Sequence, residues 1–339
     1  MSELLLSSAA PLVEAYDLGL VDLDGVTYAG HDPIAHAADG LALARRAGMR
    51  LVFVTNNASR EPGSVSDQLS SLGIPAASDD VMTAAQACAT LLGDHVAPGS
   101  RVLVVGGAGL VTAVTEAGYV VVTSAEDQPA AVAQGFSPGL SWGDLAEAAY
   151  AVAGGAVHVA SNLDLSLPTA RGFAPGNGAL VGAVSAATGV KPFSAGKPAP
   201  TMYAMAVARA GAERPLVIGD RLDTDLAGAR AGGYPGFHVL TGVSSARDDV
   251  LAAPGERPHF IGADLRSLTL AHDAPVLGES GWWTCGASSA RVVDGKLEVV
   301  VDEAEQDPVN VVRASCNAAW TFVDAGGVLQ TESVPEFAV

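Results

Sequence analysis

The architecture follows from the stretch Leu18-Gly19-Leu20-Val21-Asp22-Leu23-Asp24-Gly25-Val26-Thr27, in which two carboxylates stand two residues apart after an apolar run. A strand ending in this way points successive side chains to opposite faces, but a turn at Gly25 can break that alternation. Both acids can then reach one site at the carboxyl end of the strand, where open α/β sheets keep their ligands. We therefore predict a parallel sheet with Asp22 and Asp24 at its ligand-binding edge.

Short β-rich runs alternate with Ala-rich helical stretches on both sides of this motif. Strands are predicted at 17–22, 49–55, 101–105, 119–123, 157–161, 215–219 and 236–240. Helices are predicted at 36–47, 63–72, 83–92, 178–188, 199–210 and 223–231. Such alternation is typical of parallel sheets with crossover helices. The sequence therefore predicts an α/β, doubly wound, Rossmann-like fold.

The chemical motifs lie on both sides of a segment, residues 83–188, that has a strand-helix pattern of its own. An inserted domain between two halves of a catalytic core would produce this arrangement. We therefore predict a core formed by residues 1–82 and 189–268, with an inserted α/β cap domain at 83–188. Residues 270–339 are predicted to form a small C-terminal α+β appendage.

The appendage differs in composition from the rest of the chain, because three of the four tryptophans fall in it. Asp294-Gly295, between two alternating runs, predicts a hairpin turn. Asp307-Pro308 predicts the start of a helix that Gly326 would end. We expect this segment to serve in packing or in oligomerisation.

Asp22 and Asp24 carry the first chemical hypothesis. A carboxylate can attack phosphorus and form a covalent phospho-enzyme, and we assign this role to Asp22. Asp24 would protonate the departing alkoxide and then take a proton from the hydrolytic water. An ordinary strand-to-turn boundary would also explain a lone Asp-x-Asp-Gly. The hypothesis therefore depends on three further signals downstream.

The second and third signals are candidate phosphate-binding groups. An apolar run ends in Thr55-Asn56-Asn57, where the hydroxyl of Thr55 and the following backbone N–H groups could bind phosphoryl oxygens. An ordinary strand followed by an Asn/Ser turn is the alternative. Lys197 stands just before the predicted helix at 199–210, where its ammonium suits a phosphoryl oxygen or a nucleophilic carboxylate. A solvated lysine is the alternative, but the chain has only three lysines.

The fourth signal is a second pair of acids, which suggests a metal site. Oxygen ligands at the end of a strand suit Mg²⁺. Asp220 is the predicted direct ligand, with Asp22 and the backbone carbonyl of Asp24. Asp225 is predicted to hold a metal-bound water or to orient the loop, and Asp223 to cap the following helix.

The formal net charge of −19 limits the classes of partner. Nucleic acids and anionic membranes need basic patches, so neither is expected as a main partner. A phosphate ester would meet general repulsion from this chain, which is a further reason to expect a bound Mg²⁺. The expected ligand is a small phosphorylated metabolite.

The cysteines and the N-terminal sequence indicate the cellular compartment in which the protein is expected. Cys88, Cys285 and Cys316 are far apart and show neither zinc spacing nor a disulfide framework. We interpret them as small buried hydrophobes in a reducing environment. Neither a signal peptide nor a membrane-spanning run is apparent, so we expect a soluble, cytoplasmic protein.

The four signals together resemble the motifs of the haloacid dehalogenase-like superfamily, over residues 15–268. The resemblance is to its class IIA branch, whose cap is inserted between the second and third motifs. It is carried by Asp22-Leu23-Asp24-Gly25-Val26, Thr55-Asn56-Asn57, Gly196-Lys197-Pro198 and Gly219-Asp220-Arg221-Leu222-Asp223-Thr224-Asp225, and in the cap by Ser161-Asn162-Leu163-Asp164, Leu167-Pro168-Thr169 and Pro175-Gly176-Asn177-Gly178. The resemblance implies a Mg²⁺-dependent phosphatase acting on small phosphate esters. It extends to bacterial glycerol-3-phosphate phosphatases with a C-terminal extension.

The cap carries the candidates for specificity. It is expected to close over the site, exclude water and contact the leaving group. Asn162, Asp164 and Arg171 are the candidate substrate-side residues. A turn network of Asn, Asp and Pro is the alternative interpretation of the same residues.

Three functions stay open from the sequence. The first is hydrolysis of glycerol 3-phosphate to glycerol and phosphate; the second is a broader phosphatase for nucleoside monophosphates, pyridoxal phosphate or sugar phosphates. The third is a catalytically silent phospho-ligand binding or scaffold protein, and a homodimer is possible in each case. The stretch Val105-Gly106-Gly107-Ala108-Gly109 hints at a dinucleotide loop, but Thr112 replaces the third glycine. The seven histidines show no metal-binding spacing, so they are expected in the core or on the surface.

Overall fold

The computed structural model describes residues 4–169, 171–302 and 305–339. The chain forms two compact units, one from Met1–Val52 with Ala210–Val339 and the other from Phe53–Arg209. The predicted division into core (1–82 and 189–268), cap (83–188) and appendage (270–339) has different boundaries and stays a prediction. Among the described residues, no helix combines the length and the hydropathy that are needed to cross a bilayer.

The strands and helices alternate along the chain, as predicted. The strands are β1 Leu18–Val21, β2 Tyr28–Ala29, β3 Asp32–Pro33, β4 Arg50–Thr55, β5 Val81–Thr83, β6 Arg101–Val105, β7 Val120–Val122, β8 Ala131–Gln134, β9 Val157–Ala160, β10 Ser166–Thr169, β11 Gly172–Pro175, β12 Phe193–Ser194, β13 Pro215–Gly219, β14 Gly236–Val239, β15 Phe260–Gly262, β16 Val276–Leu277, β17 Trp283–Cys285, β18 Ser288–Val293 and β19 Lys296–Val301. The helices are α1 Leu12–Ala15, α2 Ala37–Arg46, α3 Pro62–Ser71, α4 Ala84–Leu92, α5 Ala108–Glu116, α6 Trp142–Ala153, α7 Asn177–Thr188, α8 Thr201–Ala210, α9 Ala227–Ala231, α10 Ala246–Leu251 and α11 Val309–Asp324.

A parallel sheet organises the first unit, with strands in the order β15-β14-β13-β1 and β4 beginning beside β1. Strand β1 pairs with β13 in register from Leu18↔Pro215 to Val21↔Ile218. Every residue of these two strands is buried, as expected for a parallel sheet that is covered on both faces. Because the two strands run in the same direction, Asp22 and Asp220 follow them at the same edge.

The C-terminal segment belongs to the same unit. Strands β16 to β19 form an antiparallel sheet, and one hydrophobic cluster contains Val250 and Ile261 together with Trp320 of α11. Segment 270–339 therefore shares its core with the parallel-sheet part of the unit. Burial of this common apolar surface is the main stabilising term for both parts.

The local signals predicted in this segment are confirmed. Asp294 and Gly295 join β18 to β19 with φ values of 51° and 77°, the left-handed pair that a tight hairpin turn requires. Helix α11 begins just after Asp307, whose Oδ1 accepts a hydrogen bond of 3.0 Å from the backbone N–H of Val309. The helix ends at Asp324, and Gly326 follows with a φ of 89°, as is common at helix C-termini.

A second parallel sheet, in the order β12-β9-β8-β6-β7, organises the second unit. In the same unit, the C-terminal half of β4 pairs with β5 from Phe53↔Val81 to Thr55↔Thr83. The segment predicted as an inserted domain, residues 83–188, supplies most of the five-stranded sheet and its helices. This α/β pattern confirms the class of fold predicted for the segment.

The glycines at the start of α5 have a packing function. A Cβ atom added at Gly107 would lie within 3.0 Å of the backbone of Ser59, and one added at Gly109 would lie within 3.0 Å of the backbone of Arg60. Glycine is needed wherever two backbones approach this closely. The resemblance of this stretch to a dinucleotide loop therefore has a structural explanation.

A buried histidine in this sheet predicts acid sensitivity. His158 is 1% exposed, and its Nε2 lies 2.9 Å from Oε1 of Gln134. Among the described residues its Nδ1 has no hydrogen-bond partner, and burial lowers the pKa of His158 to about 4. Below pH 6.5, the usual pKa of histidine, the unfolded chain therefore binds a proton that the folded chain does not. The stability contributed by His158 is present above that pH and is lost as the pH falls toward 4.

We expect the free energy of unfolding to fall by about 2 kcal/mol between pH 7 and pH 5 from this one group. Urea unfolding followed by circular dichroism at the two pH values measures the change. His158→Gln keeps a donor for Gln134 but does not titrate, so its loss on acidification should be smaller by that amount. An equal loss in both proteins would contradict the assignment to His158.

Candidate active site

Three carboxylates meet at the end of the first parallel sheet. Asp22 follows β1, Asp220 follows β13, and Asp225 lies in one turn of π-helix, Leu222–Leu226. One carboxylate oxygen from each lies within 4.8 Å of the other two. Asp220 and Asp225 are buried and Asp22 is half-buried. The sequence predicted all three acids as parts of one site, and the structure brings them together.

The carboxylate of Asp220 sits in a close-fitting cradle. Its Oδ2 accepts a hydrogen bond of 2.7 Å from the backbone N–H of Val243. A Cβ atom added at Gly25 or at Gly242 would lie well inside 3.0 Å of this carboxylate. The hydroxyl of Thr241 donates to the backbone carbonyl of Gly25 at 2.7 Å, which ties the two sides of the cradle together. Small residues here let the backbone enclose the acid.

Asp225 is held in a similar way. Its Oδ2 accepts a hydrogen bond of 3.3 Å from the backbone N–H of Arg221, and a Cβ atom added at Gly219 would collide with its side chain. Asp223 was expected to cap the following helix, but that interpretation is wrong. Its carboxylate accepts hydrogen bonds of 3.0 and 2.7 Å from the guanidinium of Arg221, since a π-turn replaces the first turn of the predicted helix.

The turn after β1 separates the two acids of the first motif. Gly25 has a φ of 84°, which breaks the strand alternation as predicted, and its N–H donates to the carbonyl of Tyr28. Asp24 is exposed, whereas Asp22 is half-buried. The carboxylate of Asp24 is outside the three-acid cluster. The two acids therefore lie in different environments.

The acid cluster fits a hard divalent cation. Carboxylate oxygens are the ligands that Mg²⁺ prefers, and Mg²⁺ usually takes only one or two of them and keeps several waters. Three carboxylates within 4.8 Å of one another repel each other strongly unless a cation or a proton lies between them. Asp22 and Asp220, with Asp225 beside them, could hold such an ion.

A buried histidine lies behind Asp220, and the sequence did not identify it as part of the site. Nε2 of His238 is 3.1 Å from the backbone carbonyl of Asp220, and Nδ1 is 2.9 Å from Oδ2 of Asp249. Burial lowers the pKa of His238, but the charge of Asp249 and the two hydrogen bonds raise that pKa further, so it lies above its ordinary value. Burial also raises the pKa of Asp249, against the opposing effect of His238. The His238–Asp249 pair therefore favours holding a proton.

The second unit brings the other predicted motifs together around Asn56. Oδ1 of Asn56 accepts a hydrogen bond of 2.8 Å from the backbone N–H of Lys197, and Nδ2 donates to the carbonyl of Lys197 at 3.3 Å. The same Nδ2 lies 3.2 Å from both carboxylate oxygens of Asp164. Lys197 is 5% exposed, and its Nζ donates to the carbonyl of Val54 at 3.2 Å. Asn56 therefore positions Lys197 relative to the loop of Asp164.

The neighbouring polar residues support this arrangement. Oγ1 of Thr55 accepts from the backbone N–H of Asn57 at 3.1 Å. The side chain of Asn57 turns away to accept hydrogen bonds of 2.9 Å from the N–H and the hydroxyl of Ser59. Asn162 is buried, and its Nδ2 donates to the carbonyl of Asn56 at 2.7 Å. Both interpretations of Asn162 and Asp164 stay open, because a turn network and a substrate-side loop use the same contacts.

Arg171 lies apart from this network. Its side chain is exposed at the tip of the β10–β11 hairpin, and its backbone N–H donates to Oγ1 of Thr169 at 3.2 Å. The sequence grouped Arg171 with Asn162 and Asp164, but the contacts found among the described residues include only the latter two. A substrate role for Arg171 stays a prediction.

The sequence matches two families of one superfamily, and they cover the motifs described above. Residues 19–120 match a haloacid dehalogenase-like hydrolase family, and residues 194–268 match a HAD-hydrolase-like family. The first match includes Asp22, Asp24 and Thr55, and the second includes Lys197 and Asp220. The motifs predicted to act together thus lie within the matched segments, and the first segment extends into the predicted cap.

Two relatives, and a crystal structure of the first of them, are similar over most of the chain. The D-glycerol 3-phosphate phosphatase of Mycobacterium tuberculosis is 45% identical over 312 residues, which are 91% of this chain and 87% of that protein. A crystal structure of the glycerol phosphate phosphatase from this organism in complex with magnesium has a TM-score of 0.84 and 44% identity, and the match covers 93% of each chain. The acid sugar phosphatase of Staphylococcus aureus is 36% identical over 238 residues, which are 70% of this chain and 91% of that protein.

The match with the mycobacterial relative extends into the C-terminal segment. The mycobacterial match leaves only about a tenth of this chain outside it, which is too little to omit the 70 residues of 270–339. The appendage is therefore at least partly shared with that relative. On the strength of the motifs, the fold and these identities, the chain belongs to the haloacid dehalogenase-like hydrolase family, as one of its class IIA phosphatases.

Proposed function

We propose that this protein is a Mg²⁺-dependent phosphatase that hydrolyses glycerol 3-phosphate to glycerol and phosphate. The observation that carries the proposal is the cluster of Asp22, Asp220 and Asp225 at the ends of two paired strands. The 45% identity with a D-glycerol 3-phosphate phosphatase supports the substrate. The silent-binding alternative is less favoured, because the nucleophile, the second acid and the metal-binding acids are all retained.

The reaction has two steps on this chain. In the first, a carboxylate oxygen of Asp22 forms a bond to phosphorus while the ester bond from phosphorus to the glycerol oxygen breaks, and Asp24 gives that oxygen a proton. In the second, Asp24 takes a proton from water as the water oxygen attacks phosphorus. The bond from Asp22 to phosphorus then breaks, and phosphate leaves. The exposure of Asp24 suits exchange of a proton with both the leaving group and water.

The metal would be held by Asp22, Asp220 and the backbone carbonyl of Asp24, with Asp225 beside them. When bound, Mg²⁺ would neutralise negative charge on the phosphoryl group and orient it for in-line attack. Gly25 and Gly242 contribute to metal binding indirectly, because they let the backbone enclose the carboxylate of Asp220. Such preorganisation removes the cost of arranging the ligand during the reaction.

Phosphate binding is assigned to the second and third motifs. We propose that the ammonium of Lys197 and the hydroxyl of Thr55, with the backbone N–H groups of Asn56 and Asn57, bind the non-transferred phosphoryl oxygens. The side chain of Asn56 has a positioning role instead, as its amide joins Lys197 to Asp164.

Substrate selection is assigned to the inserted domain at residues 83–188. Asn162 and Asp164 are the proposed substrate-side residues, with Arg171 as a further candidate on the exposed hairpin. The 36% identity with an acid sugar phosphatase favours a second candidate function, hydrolysis of a sugar phosphate. The shared appendage supports glycerol 3-phosphate as the substrate, because the relative that shares it is named a D-glycerol 3-phosphate phosphatase.

A panel of substrates tests both the metal and the specificity. Phosphate release would be measured for glycerol 3-phosphate, a hexose phosphate, a nucleoside monophosphate and pyridoxal phosphate. We expect kcat/KM for glycerol 3-phosphate to exceed the others by about tenfold or more, and EDTA to abolish release until excess Mg²⁺ is added. Full activity with EDTA would exclude the metal, and a preference for the hexose phosphate would favour the second candidate.

A cytoplasmic location and a homodimer are further parts of the proposal. All three cysteines are buried and form no disulfide among the described residues, which favours a reducing compartment. The net charge of −19 disfavours nucleic acid as a partner. Light scattering on the purified protein tests the dimer.

A further inference from the structure

A continuous line of buried hydrogen bonds leads from the acid cluster to the C-terminal helix. Nε2 of His238 lies 3.1 Å from the backbone carbonyl of Asp220, and Nδ1 lies 2.9 Å from the carboxylate of Asp249. The indole N–H of Trp320, in α11, donates to the backbone carbonyl of Asp249 at 3.0 Å. His238 and Asp249 are fully buried, and Trp320 is 1% exposed.

The hydrogen positions on His238 follow from its partners. A backbone carbonyl only accepts hydrogen bonds, so Nε2 carries a hydrogen that it donates to Asp220. Nδ1 and Asp249 must then share a second hydrogen, because two bare acceptors 2.9 Å apart would repel each other. Either location of that hydrogen leaves the bond from Nε2 to Asp220 intact.

The bond from His238 acts on a main chain that the neighbouring loop also contacts. The backbone carbonyl of Asp220 also accepts a hydrogen bond of 3.0 Å from the N–H of Ser244. The carboxylate of Asp220 accepts one from the backbone N–H of Val243. These partners belong to the loop 240–245, which passes through Gly242 against the same carboxylate. Strand β14, which carries His238, ends where this loop begins. His238 therefore joins a rigid buried strand to the residue that the loop encloses.

We propose that His238 is a positioning residue that fixes the main chain at Asp220 for metal binding, and that Asp249 and Trp320 extend this support to the C-terminal helix. The inference rests on the proposed function, since it concerns the binding of Mg²⁺ by Asp220. It gives the C-terminal segment a role in the metal site, beyond general packing. Groups behind metal-binding residues typically change metal affinity or activity 10- to 100-fold when they are removed.

The test compares two variants that differ only at position 238. In Asp249→Asn the new amide can donate to Nδ1, so the bond from Nε2 to Asp220 is kept. Adding His238→Leu to that variant removes the donor without leaving a buried carboxylate unpaired. His272→Leu is the control, because His272 is also buried and its Nε2 also lies 2.9 Å from a backbone carbonyl, that of Ser267.

Calorimetric titration with Mg²⁺ and no substrate measures the affinity directly, and thermal unfolding confirms that each variant is folded. We expect Asp249→Asn to bind Mg²⁺ within about twofold of the unmodified protein. Adding His238→Leu should raise the Kd about tenfold and lower kcat with little change in KM. His272→Leu should lower Tm without changing the Kd. Trp320→Phe, which removes only the indole donor, should raise the Kd about threefold.

The outcomes separate this inference from the proposed function. If the unmodified protein binds no Mg²⁺, the proposed function fails; if it binds Mg²⁺ and the doubly substituted protein binds equally well, only the role of His238 fails. An unchanged Kd in Trp320→Phe would limit the support to His238 and Asp249. If the double variant does not fold, NMR of the unmodified protein decides, because a slowly exchanging Nε2 proton of His238 that shifts on addition of Mg²⁺ is expected. A signal that does not respond to Mg²⁺ would overturn the proposal.

Discussion

Replacing Asp22 by asparagine is expected to lower kcat about 10⁴-fold or more while leaving the protein folded. The amide has nearly the same shape as the carboxylate, and the backbone N–H of Asp22 keeps its bond of 2.8 Å to the carbonyl of Ile218. An amide oxygen is a poor nucleophile, however, and the variant also lacks one charge of the acid cluster. The loss should therefore appear in the chemical step and in Mg²⁺ affinity, whereas KM should change less.

Trapping of the covalent intermediate gives the sharpest measurement. Acid quenching of the unmodified enzyme during turnover of phosphate-labelled substrate should leave label on the protein, and Asp22→Asn should carry none. Asp17→Asn is the matched control, since Asp17 lies at the other end of β1 and accepts hydrogen bonds from the backbone N–H groups of Glu213 and Arg214. It should lose stability but keep its activity per folded molecule. Retention of label by the Asp22→Asn variant would contradict the nucleophilic role.

The acid cluster could be predicted because the sequence indicates that the strands run parallel. Two fully apolar runs, at 18–21 and 215–219, each end in an aspartate, and alternation with helices indicates a parallel sheet. Parallel neighbours place their carboxyl ends at the same edge, so Asp22 and Asp220 meet without any further information. Gly25 was also informative, since a left-handed turn residue at that position is needed to redirect the chain.

Partners of polar side chains were harder to predict. Asn56 was expected among the phosphate-binding groups, but its amide joins the backbone of Lys197 to Asp164. An asparagine can donate and accept in many directions, so its sequence neighbours indicate that it is polar without indicating what it contacts. Asp164 and Lys197 lie 108 and 141 positions from Asn56 along the chain. Only the tertiary fold brings them together.

His238 shows the same limit for a buried residue. It lies in the short strand Gly236–Val239, where its neighbours are apolar, and no metal-binding spacing of histidines marks it. Its importance comes from Asp249, in a helix further along the chain, and from a backbone carbonyl, which has no residue-specific signal. A buried histidine between apolar residues was a hint, because burial without a partner would be costly.

Strand β8 is among the elements that were missed, because tertiary pairing overrides local propensity. Strand β8, Ala131–Gln134, contains two alanines and a glutamine, which are poor strand formers, yet it pairs on both sides with β6 and β9. The helix predicted at 223–231 begins instead as the π-turn Leu222–Leu226. π-turns of this kind often occur at functional sites, and this one carries Asp225 into the acid cluster.

Gly242→Ala is expected to lower kcat/KM about 100-fold and to cost at least as much stability as overpacking at a core site, about 1–3 kcal/mol. The added methyl group would lie well inside 3.0 Å of Oδ2 of Asp220, so either the carboxylate or the loop must move. Movement by about 1 Å is enough to cost two orders of magnitude in rate when it misplaces a catalytic group. Gly242 is a cleaner test than Gly25, because Gly25 has a positive φ and its substitution would add backbone strain.

Alanine substitutions at two other glycines of the same unit are controls that distinguish overpacking from an effect on the catalytic site. A Cβ atom at Gly40 would lie 2.8 Å from the backbone of Leu265, away from the acids, whereas one at Gly255 would have no heavy atom within 4 Å. We expect Gly40→Ala to cost about 1–3 kcal/mol of stability through overpacking and to keep its activity per folded molecule, and Gly255→Ala to be neutral. Mg²⁺ titrations should show weakened binding only in Gly242→Ala. If Gly242→Ala lost stability but kept full kcat/KM and Mg²⁺ affinity, the cradle around Asp220 would be a packing feature and the carboxylate would tolerate displacement.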